Sequence, residues 1–196
     1  DCRICPRECG ADRNAGSYGY CMSGVLPRIA QYSPHRWEEP PISGTKGSGT
    51  VFFSGCNLKC VYCQNMEITR METGLQVDVE GLIAIFLELG RTCHNINLVT
   101  SAHFLPTVAR AITEAKEQGL SVPIVYNTSS YEKQSAIRAL RGLVDIYLPD
   151  IKYHSSRLGK VLSNAPDYFD VASAAVKEML EQVGHLETDD EGIAKK

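Results

Sequence analysis

From residue 50 onward, short apolar runs alternate with longer stretches whose apolar residues recur at helical spacing. The stretch 79–89 shows the helical pattern, because Leu82, Ile83, Phe86 and Leu87 fall on one face. The pattern predicts four strands at 50–54, 97–100, 123–126 and 144–148, and four helices at 79–89, 106–118, 131–140 and 170–183. Alternating units of this size indicate a parallel sheet with helices outside it. We therefore expect an α/β fold in which right-handed crossovers curve the sheet into a partial (β/α) barrel.

The predicted barrel is incomplete. Only four βα units can be recognised, and the last ten residues, 187–196, are polar. An open four-stranded sheet would leave the backbone groups of its edge strands unpaired, so we expect a further segment or a partner to cover that edge. The chain is predicted to divide into a Cys-rich knuckle at 1–24, an irregular connector at 25–49 and the partial barrel at 50–196.

The connector 25–49 is predicted to be irregular because it contains four prolines. It also holds Trp37, the single tryptophan of the chain. An indole in such a segment either faces a partner or covers an edge of the barrel. We expect Trp37 to cover the edge.

The composition is that of an ordinary soluble globular protein, with 196 residues, 43% hydrophobic and 22% charged. The formal net charge of -3 gives no electrostatic support for nucleic-acid binding, and the best apolar run, 82–89, is far shorter than a membrane span. The eight cysteines cluster as C-x2-C and C-x3-C pairs, which are too local for a disulfide framework and suit metal binding. We therefore expect a cytoplasmic protein, with neither nucleic acid nor a membrane as partner.

Four cysteines lie within the first 24 residues, in the pattern C-x2-C-x3-C-x11-C. They are Cys2, Cys5, Cys9 and Cys21. Glycines among them permit the tight turns of a metal knuckle. Four thiolates this close can complete a tetrahedral zinc site or carry an iron–sulfur cluster. We predict a metal site here, with zinc and iron–sulfur both open.

Three further cysteines, Cys56, Cys60 and Cys63, follow the first predicted strand in the pattern C-x3-C-x2-C. Three thiolates in so short a loop can bind three irons of a cubane cluster, since soft sulfur ligands suit iron–sulfur centres. The fourth iron would then be open to a small molecule. Because such an iron is sensitive to oxygen, we expect an anaerobic setting. A partial zinc site with a distant fourth ligand is the alternative.

Polar groups follow each of the other three predicted strands. They are Thr100-Ser101-Ala102-His103, Asn127-Thr128-Ser129-Ser130 and Pro149-Asp150-Ile151-Lys152. In a parallel β/α barrel the carboxyl ends of the strands meet at one mouth, so we expect these groups to face the cysteine loop. Alternatively, His103 caps a helix or lies on the surface, and Asp150 and Lys152 form a structural pair. Cys93 stands alone and is expected to be a small buried residue.

The cysteine loop resembles the signature of the radical S-adenosylmethionine (SAM) enzymes, which also carries an aromatic residue at the position of Tyr62. Within that superfamily the chain is similar to the glycyl-radical-enzyme activases, the pyruvate formate-lyase activating enzyme and its relatives. The similarity is carried by Cys2–Gly10, by the cluster loop ending in Gln64-Asn65, and by Leu148–Lys152. Radical SAM folds usually have six βα units, so the resemblance implies that two units are absent from this chain.

The resemblance implies a 4Fe-4S cluster on Cys56, Cys60 and Cys63, with SAM on the open iron. It also implies that SAM is contacted by residues spread along the chain: Tyr62, Asn65, Thr100, Asn127, Ser129, Asp150 and Lys152. Two positions depart from the activases. Thr100–His103 replaces a glycine-rich segment that binds the methionine amino group, and Asn127 replaces an acidic residue of a cation site.

The implied activity is that of a radical SAM oxidoreductase. A reduced cluster cleaves SAM to methionine and a 5'-deoxyadenosyl radical, which in an activase takes a hydrogen atom from a glycine Cα of a partner protein. The implied partners are a glycyl radical enzyme or another protein substrate, with flavodoxin or ferredoxin as electron donor. The alternatives are a radical SAM enzyme acting on a small molecule or peptide, a non-catalytic iron–sulfur electron carrier, and a zinc-knuckle binding module.

Overall fold

The computed structural model describes residues 1–70 and 73–196. The strands are β1 (Arg28–His35), β2 (Ser48–Phe53), β3 (Leu75–Gln76), β4 (Ile96–Val99), β5 (Ile124–Thr128) and β6 (Ile146–Pro149). The helices are α1 (Pro40–Ser43), α2 (Met66–Arg70), α3 (Val79–Gly90), α4 (Leu105–Glu117), α5 (Gln134–Arg138), α6 (Ser156–Ser163) and α7 (Tyr168–Val183), with a short 3-10 helix at Ala102–Phe104. Within these two described ranges, no helix is both long enough and apolar enough to cross a membrane.

The six strands form one mixed, mostly parallel sheet in the order β3-β1-β2-β4-β5-β6. Strands β2, β4, β5 and β6 run parallel to one another, and each matches a predicted strand to within two residues at either end. Helices α3 and α4 are also found where the helical spacing predicts them, while α5 is shorter than predicted. The α/β class and the parallel arrangement are confirmed.

The prediction of a four-stranded sheet was wrong, because two further strands extend it beyond β2. Strand β1 runs antiparallel to both β2 and β3, and it lies within the segment 25–49 that the prolines predicted to be irregular. Strand β3 pairs only with Arg28 and Ile29, so the rest of β1 is an edge of the sheet. A proline is tolerated on an edge strand because its missing N–H removes no ladder bond there. Pro34 therefore fits opposite Gly49 without breaking the sheet.

Alternation along the parallel strands separates the core from the opposite face of the sheet. Val51, Leu98 and Tyr126 are buried with α3 and α4 in the main core. The face opposite these helices is called the inner face below. One row of partly exposed residues crosses it in register near the carboxyl ends of the strands: Phe52, Val99, Asn127 and Leu148. Period-two alternation thus presents a row of side chains where the predicted site lies.

The last part of the chain differs from the prediction. Helix α7 begins two residues before the predicted helix 170–183, and α6 falls where no helix is predicted. The polar tail folds back, because Thr188 and Ala194 form a β-bridge and the amide of Ala194 donates to Pro41 O at 2.8 Å. Ala194 is buried in a small cluster with Ile42. This tail covers part of the inner face away from the predicted site.

Candidate functional site

A cavity of about 630 Å³ opens at the carboxyl ends of the parallel strands. All ten residues predicted for this site line it: Cys56, Cys60, Tyr62, Cys63, Asn65, Thr100, Asn127, Ser129, Asp150 and Lys152. The cavity extends along the inner face of the sheet to His35, Trp37 and Glu38. The structure therefore brings the cysteine loop together with the ends of three neighbouring strands.

The cysteine loop leaves β2 through a tight turn at Gly55, whose φ of 85° favours glycine. A Cβ atom at this position would lie 2.4 Å from Cys21 O, so the turn also needs glycine for close approach to the N-terminal segment. Cys56 and Cys60 are buried, whereas Cys63 is partly exposed. Burial raises the pKa of the Cys56 thiol, with smaller contributions from the two neighbouring cysteines. A positively charged metal centre would offset this effect and favour the thiolate.

Each sulfur of the loop has a polar hydrogen within reach. The amide of Leu58 donates to Cys56 Sγ at 3.3 Å, Tyr153 Oη lies 3.8 Å from Cys60 Sγ, and Thr69 Oγ1 lies 3.5 Å from Cys63 Sγ. Hydrogen bonds to sulfur are one means by which proteins tune iron–sulfur clusters. Among the residues described, no three His, Cys, Asp or Glu side chains are arranged around a single ion. The three sulfurs share one cavity, and each has a donor beside it.

The opposite wall of the cavity is formed by the loops that follow β5 and β6, and Tyr168 holds these loops together. Its hydroxyl accepts a hydrogen bond from the amide of Lys152 at 3.0 Å. It also lies 2.9 Å from the carbonyl of Asp150 and 2.8 Å from that of Ser129, and can donate to either. Tyr168 belongs to α7 and is 1% exposed. The buried side chain of Tyr168 thus connects the two polar loops on the side that faces away from the cavity.

Asp150 and Lys152 form an ion pair of 2.7 Å at the cavity wall. Burial opposes the charge of Lys152, but the hydrogen bond and negative charge of Asp150 outweigh it, and the pKa of Lys152 is raised. The lysine is therefore cationic at neutral pH. The ion pair between Asp150 and Lys152, which the sequence analysis gave as the alternative to a role in the site, is present. Both residues also line the cavity.

Trp37 does not cover an edge of the sheet, so that expectation was wrong. The side chain is 89% exposed and stands at the rim of the cavity. Trp37 lies beyond the last residue of β1, whereas β3 pairs with Arg28 and Ile29 at the other end of that strand. Its neighbour Glu38 is half-buried, and burial together with the charge of Glu39 raises the pKa of Glu38.

His103 lies outside the cysteine-lined cavity and is fully buried, so it is neither a surface group nor a ligand contact there. Its Nε2 atom is 2.8 Å from Ser54 O, and burial lowers its pKa to about 4. The imidazole is therefore neutral at pH 7. The carbonyl of His103 accepts a hydrogen bond of 2.6 Å from Arg13, which ties the N-terminal segment to the sheet.

The four N-terminal cysteines, all among the described residues, lie near one another, although no three of them are arranged around a single ion. Cys5 and Cys21 are buried, and nearby thiols add to burial in raising the pKa of Cys5. A Cβ atom built on Gly19 would lie 2.8 Å from Cys9 Sγ and 3.9 Å from Cys21 Sγ. Arg13 Nη2 donates to Cys21 Sγ at 3.2 Å. The eighth cysteine, Cys93, is buried in the main core, as expected for a small apolar residue.

Several residues that shape the site were not singled out from the sequence. Tyr153 contacts Cys60 and Tyr62. It directly follows Lys152, so its position next to a predicted site residue could have indicated a role in the site. Glu132 is buried behind Thr128, and burial raises its pKa to about 7. Its carboxylate accepts hydrogen bonds from Thr128 and Tyr126. No local pattern marks a buried carboxylate of this kind.

Fold and site together define an α/β protein with a cysteine-lined cavity at the carboxyl edge of a mostly parallel sheet. No family model matches the chain. The chain is similar to the uncharacterized protein MJ0674 of Methanocaldococcus jannaschii, with 26% identity over 178 residues. This match covers 87% of the chain and 51% of the relative, so the chain spans about half the length of that protein. The relative's name assigns no activity, and the chemistry has to be argued from the site.

Proposed function

We propose that the protein is a radical SAM enzyme in which Cys56, Cys60 and Cys63 bind a 4Fe-4S cluster. The observation that carries this proposal is the shared cavity: the three thiols line it together with polar groups from three other strand ends. Its volume of about 630 Å³ falls within the range of about 300–1,000 Å³ usual for small-molecule sites. When bound, the cluster supplies the electron that cleaves SAM to methionine and a 5'-deoxyadenosyl radical.

The residues of the cavity have separate roles in this proposal. Tyr62, half exposed at the mouth, offers an aromatic face to the adenine. The ammonium of Lys152 and the amide of Asn127 offer donors to carboxylate and hydroxyl groups of the ligand. Asp150 keeps Lys152 charged, and Tyr168 holds both wall loops in place. These groups would orient SAM in the cavity.

We further propose that the substrate is a protein, as in the glycyl-radical-enzyme activases. The cavity is open and extends to Trp37, whose indole is almost fully exposed at the rim. Exposed tryptophans are favoured anchors in protein interfaces. A small-molecule or peptide substrate remains the alternative for the same chemistry. A flavodoxin or ferredoxin would supply the electron.

The proposal is tested by electron paramagnetic resonance (EPR) on protein reconstituted with iron and sulfide without oxygen. We expect the reduced protein to give the signal of a 4Fe-4S cluster, and we expect that signal to change when SAM is added. An EPR signal that does not change when SAM is added would favour a non-catalytic electron carrier instead. Zinc in place of iron at the loop would contradict the proposal.

We also propose a metal centre on the four N-terminal cysteines, and Gly19→Ala should weaken it. The new methyl group would meet Cys9 Sγ at 2.8 Å and displace that ligand, lowering metal affinity by about tenfold or more. Metal content is measured in a background that carries serine at all three cluster-loop cysteines, so that the remaining metal reports the N-terminal site. Gly24→Ala is the matched control, since its methyl group would find Tyr18 at an ordinary 3.6 Å. Equal metal in both variants would contradict this placement.

A further inference from the structure

Arg7, in the N-terminal segment, reaches the cysteine loop from outside the cavity. Its Nε donates to Asn57 O at 2.7 Å and its Nη2 to Leu58 O at 3.3 Å. Both carbonyls belong to the loop between Cys56 and Cys60. A single guanidinium therefore contacts the backbone on which two of the three thiols are mounted.

The same guanidinium also contacts the end of α6. Nη2 donates to Ser163 O at 2.8 Å, and Nη1 donates to Asn164 O. The last carbonyls of a helix have no partner within the helix, so a cation placed there satisfies them. The loop makes its own contact with α6, because the amide of Val61 donates to Leu162 O at 2.9 Å. Arg7 thus joins two backbone segments that already touch.

Two aromatic rings hold the guanidinium in place. Its central carbon lies 4.1 Å from the ring centre of Tyr20 and 5.0 Å from that of Tyr131. The carbonyl of Tyr131 accepts a 2.7 Å hydrogen bond from the side chain of Asn57, so this ring is itself tied to the loop. A planar fork that stacks and donates in several directions is particular to arginine. Lysine keeps the charge but cannot make these contacts together.

The position of Arg7 in the sequence connects the loop to the N-terminal cysteines. It lies midway between Cys5 and Cys9, and the next residue, Glu8, forms an ion pair with Lys133 at the start of α5. The side chains of Arg7 and Glu8, which lie between Cys5 and Cys9, therefore both contact residues outside the N-terminal segment. The conformation of that turn decides where the guanidinium stands.

We propose that Arg7 is a positioning residue, through which residues 1–24 hold the cysteine loop in the conformation that receives its cluster. The part that concerns the cluster rests on the proposed function, whereas the holding of the loop does not. Two carbonyl contacts hold the backbone at Asn57 and Leu58, and two more anchor the same guanidinium to the end of α6, so the directions of the flanking thiols are fixed relative to that helix. The N-terminal segment thus restrains the conformation of the cysteine loop through Arg7.

The first experiment compares Arg7→Lys with Arg3→Lys by amide hydrogen exchange in the metal-free protein. Arg3 lies in the same segment and is exposed, so it provides the same substitution without the contacts. We expect Arg7→Lys to speed exchange at Val61 by about tenfold, because the local opening of the loop becomes easier. Tyr20→Leu, which removes one stacking ring and no carbonyl contact, should speed the same amide by a smaller factor. Exchange that is equal in Arg7→Lys, Arg3→Lys and wild type would overturn the proposal.

The second experiment asks whether the loop conformation matters for the cluster. Both arginine variants are reconstituted with iron and sulfide, and the loss of iron to a chelator is followed together with the EPR spectrum. We expect iron loss about tenfold faster and an altered spectrum in Arg7→Lys alone, as for other residues that orient metal ligands. Faster exchange at Val61 with unchanged iron loss and spectrum would overturn the positioning role. If wild type takes up no cluster, the proposed function fails, and the exchange data alone decide whether Arg7 holds the loop.

Discussion

Replacing Cys56 with serine should remove most of the bound iron and abolish the response of the EPR signal to SAM. A serine hydroxyl ionises far less readily than a thiol and is a poor ligand for iron–sulfur centres, so two sulfurs would be left to hold the cluster. We expect retained iron to fall by about tenfold or more. Iron analysis and EPR on the anaerobically reconstituted variant measure both effects.

Cys93→Ser is the matched control for this experiment. Cys93 is buried in the main core and does not line the cavity, so its replacement should cost stability but not the cluster. Its iron content and SAM response should equal those of wild type. If Cys56→Ser kept its iron and its SAM response, the assignment of the cluster to this loop would be wrong.

Replacing Tyr168 with phenylalanine should weaken SAM binding although the ring stays in the core. The lost hydroxyl leaves the amide of Lys152 without its acceptor and removes the single donor that the carbonyls of Ser129 and Asp150 share. An unpaired buried group costs about 1–3 kcal/mol of the free energy of unfolding, and because these groups are only partly buried we expect a loss near the lower end of that range. Because both loops line the cavity, we also expect a fall of about tenfold in SAM affinity, or about 1.4 kcal/mol. Chemical denaturation and equilibrium binding of SAM measure the two effects.

Tyr131→Phe serves as the control for Tyr168→Phe. Tyr131 stacks on Tyr168 with ring centres 6.0 Å apart, and its hydroxyl donates to Asp167 and to neither wall loop. This variant should lose some stability and keep its SAM affinity. A Tyr168→Phe protein that is less stable but binds SAM normally would mean that the loops are held by other contacts.

Most of the parallel sheet could be predicted from the sequence, whereas β1 could not. The four parallel strands and the helices α3 and α4 have apolar periodicities that can be recognised within each element. The prolines of the segment 25–49 counted against a strand. Pro34 is compatible with one only because β3 stops short and leaves that part of β1 at an edge. This depends on pairing with a distant segment, which local patterns do not report.

The lining of the cavity could also be predicted, for a topological reason. Polar groups that follow parallel strands are brought to the same edge of the sheet, although local packing decides which of their side chains face the cavity, as the buried His103 shows. The exposure of Trp37 could not be predicted, since it depends on which surfaces the surrounding chain covers. Neither could the burial of Glu132 behind the cavity wall, because a carboxylate is buried only where partners such as Tyr126 are supplied by the fold.

By itself, the sequence determined the alternation of strands and helices and the spacing of both cysteine groups. Each of these features depends on residues a few positions apart, so the chain carries them before it folds. Only the tertiary structure decided that Arg7 contacts carbonyls 50 and 157 positions away, and that Tyr168 ties two loops together from behind. Contacts of this kind form between residues that the fold brings together, and no local pattern along the chain records them.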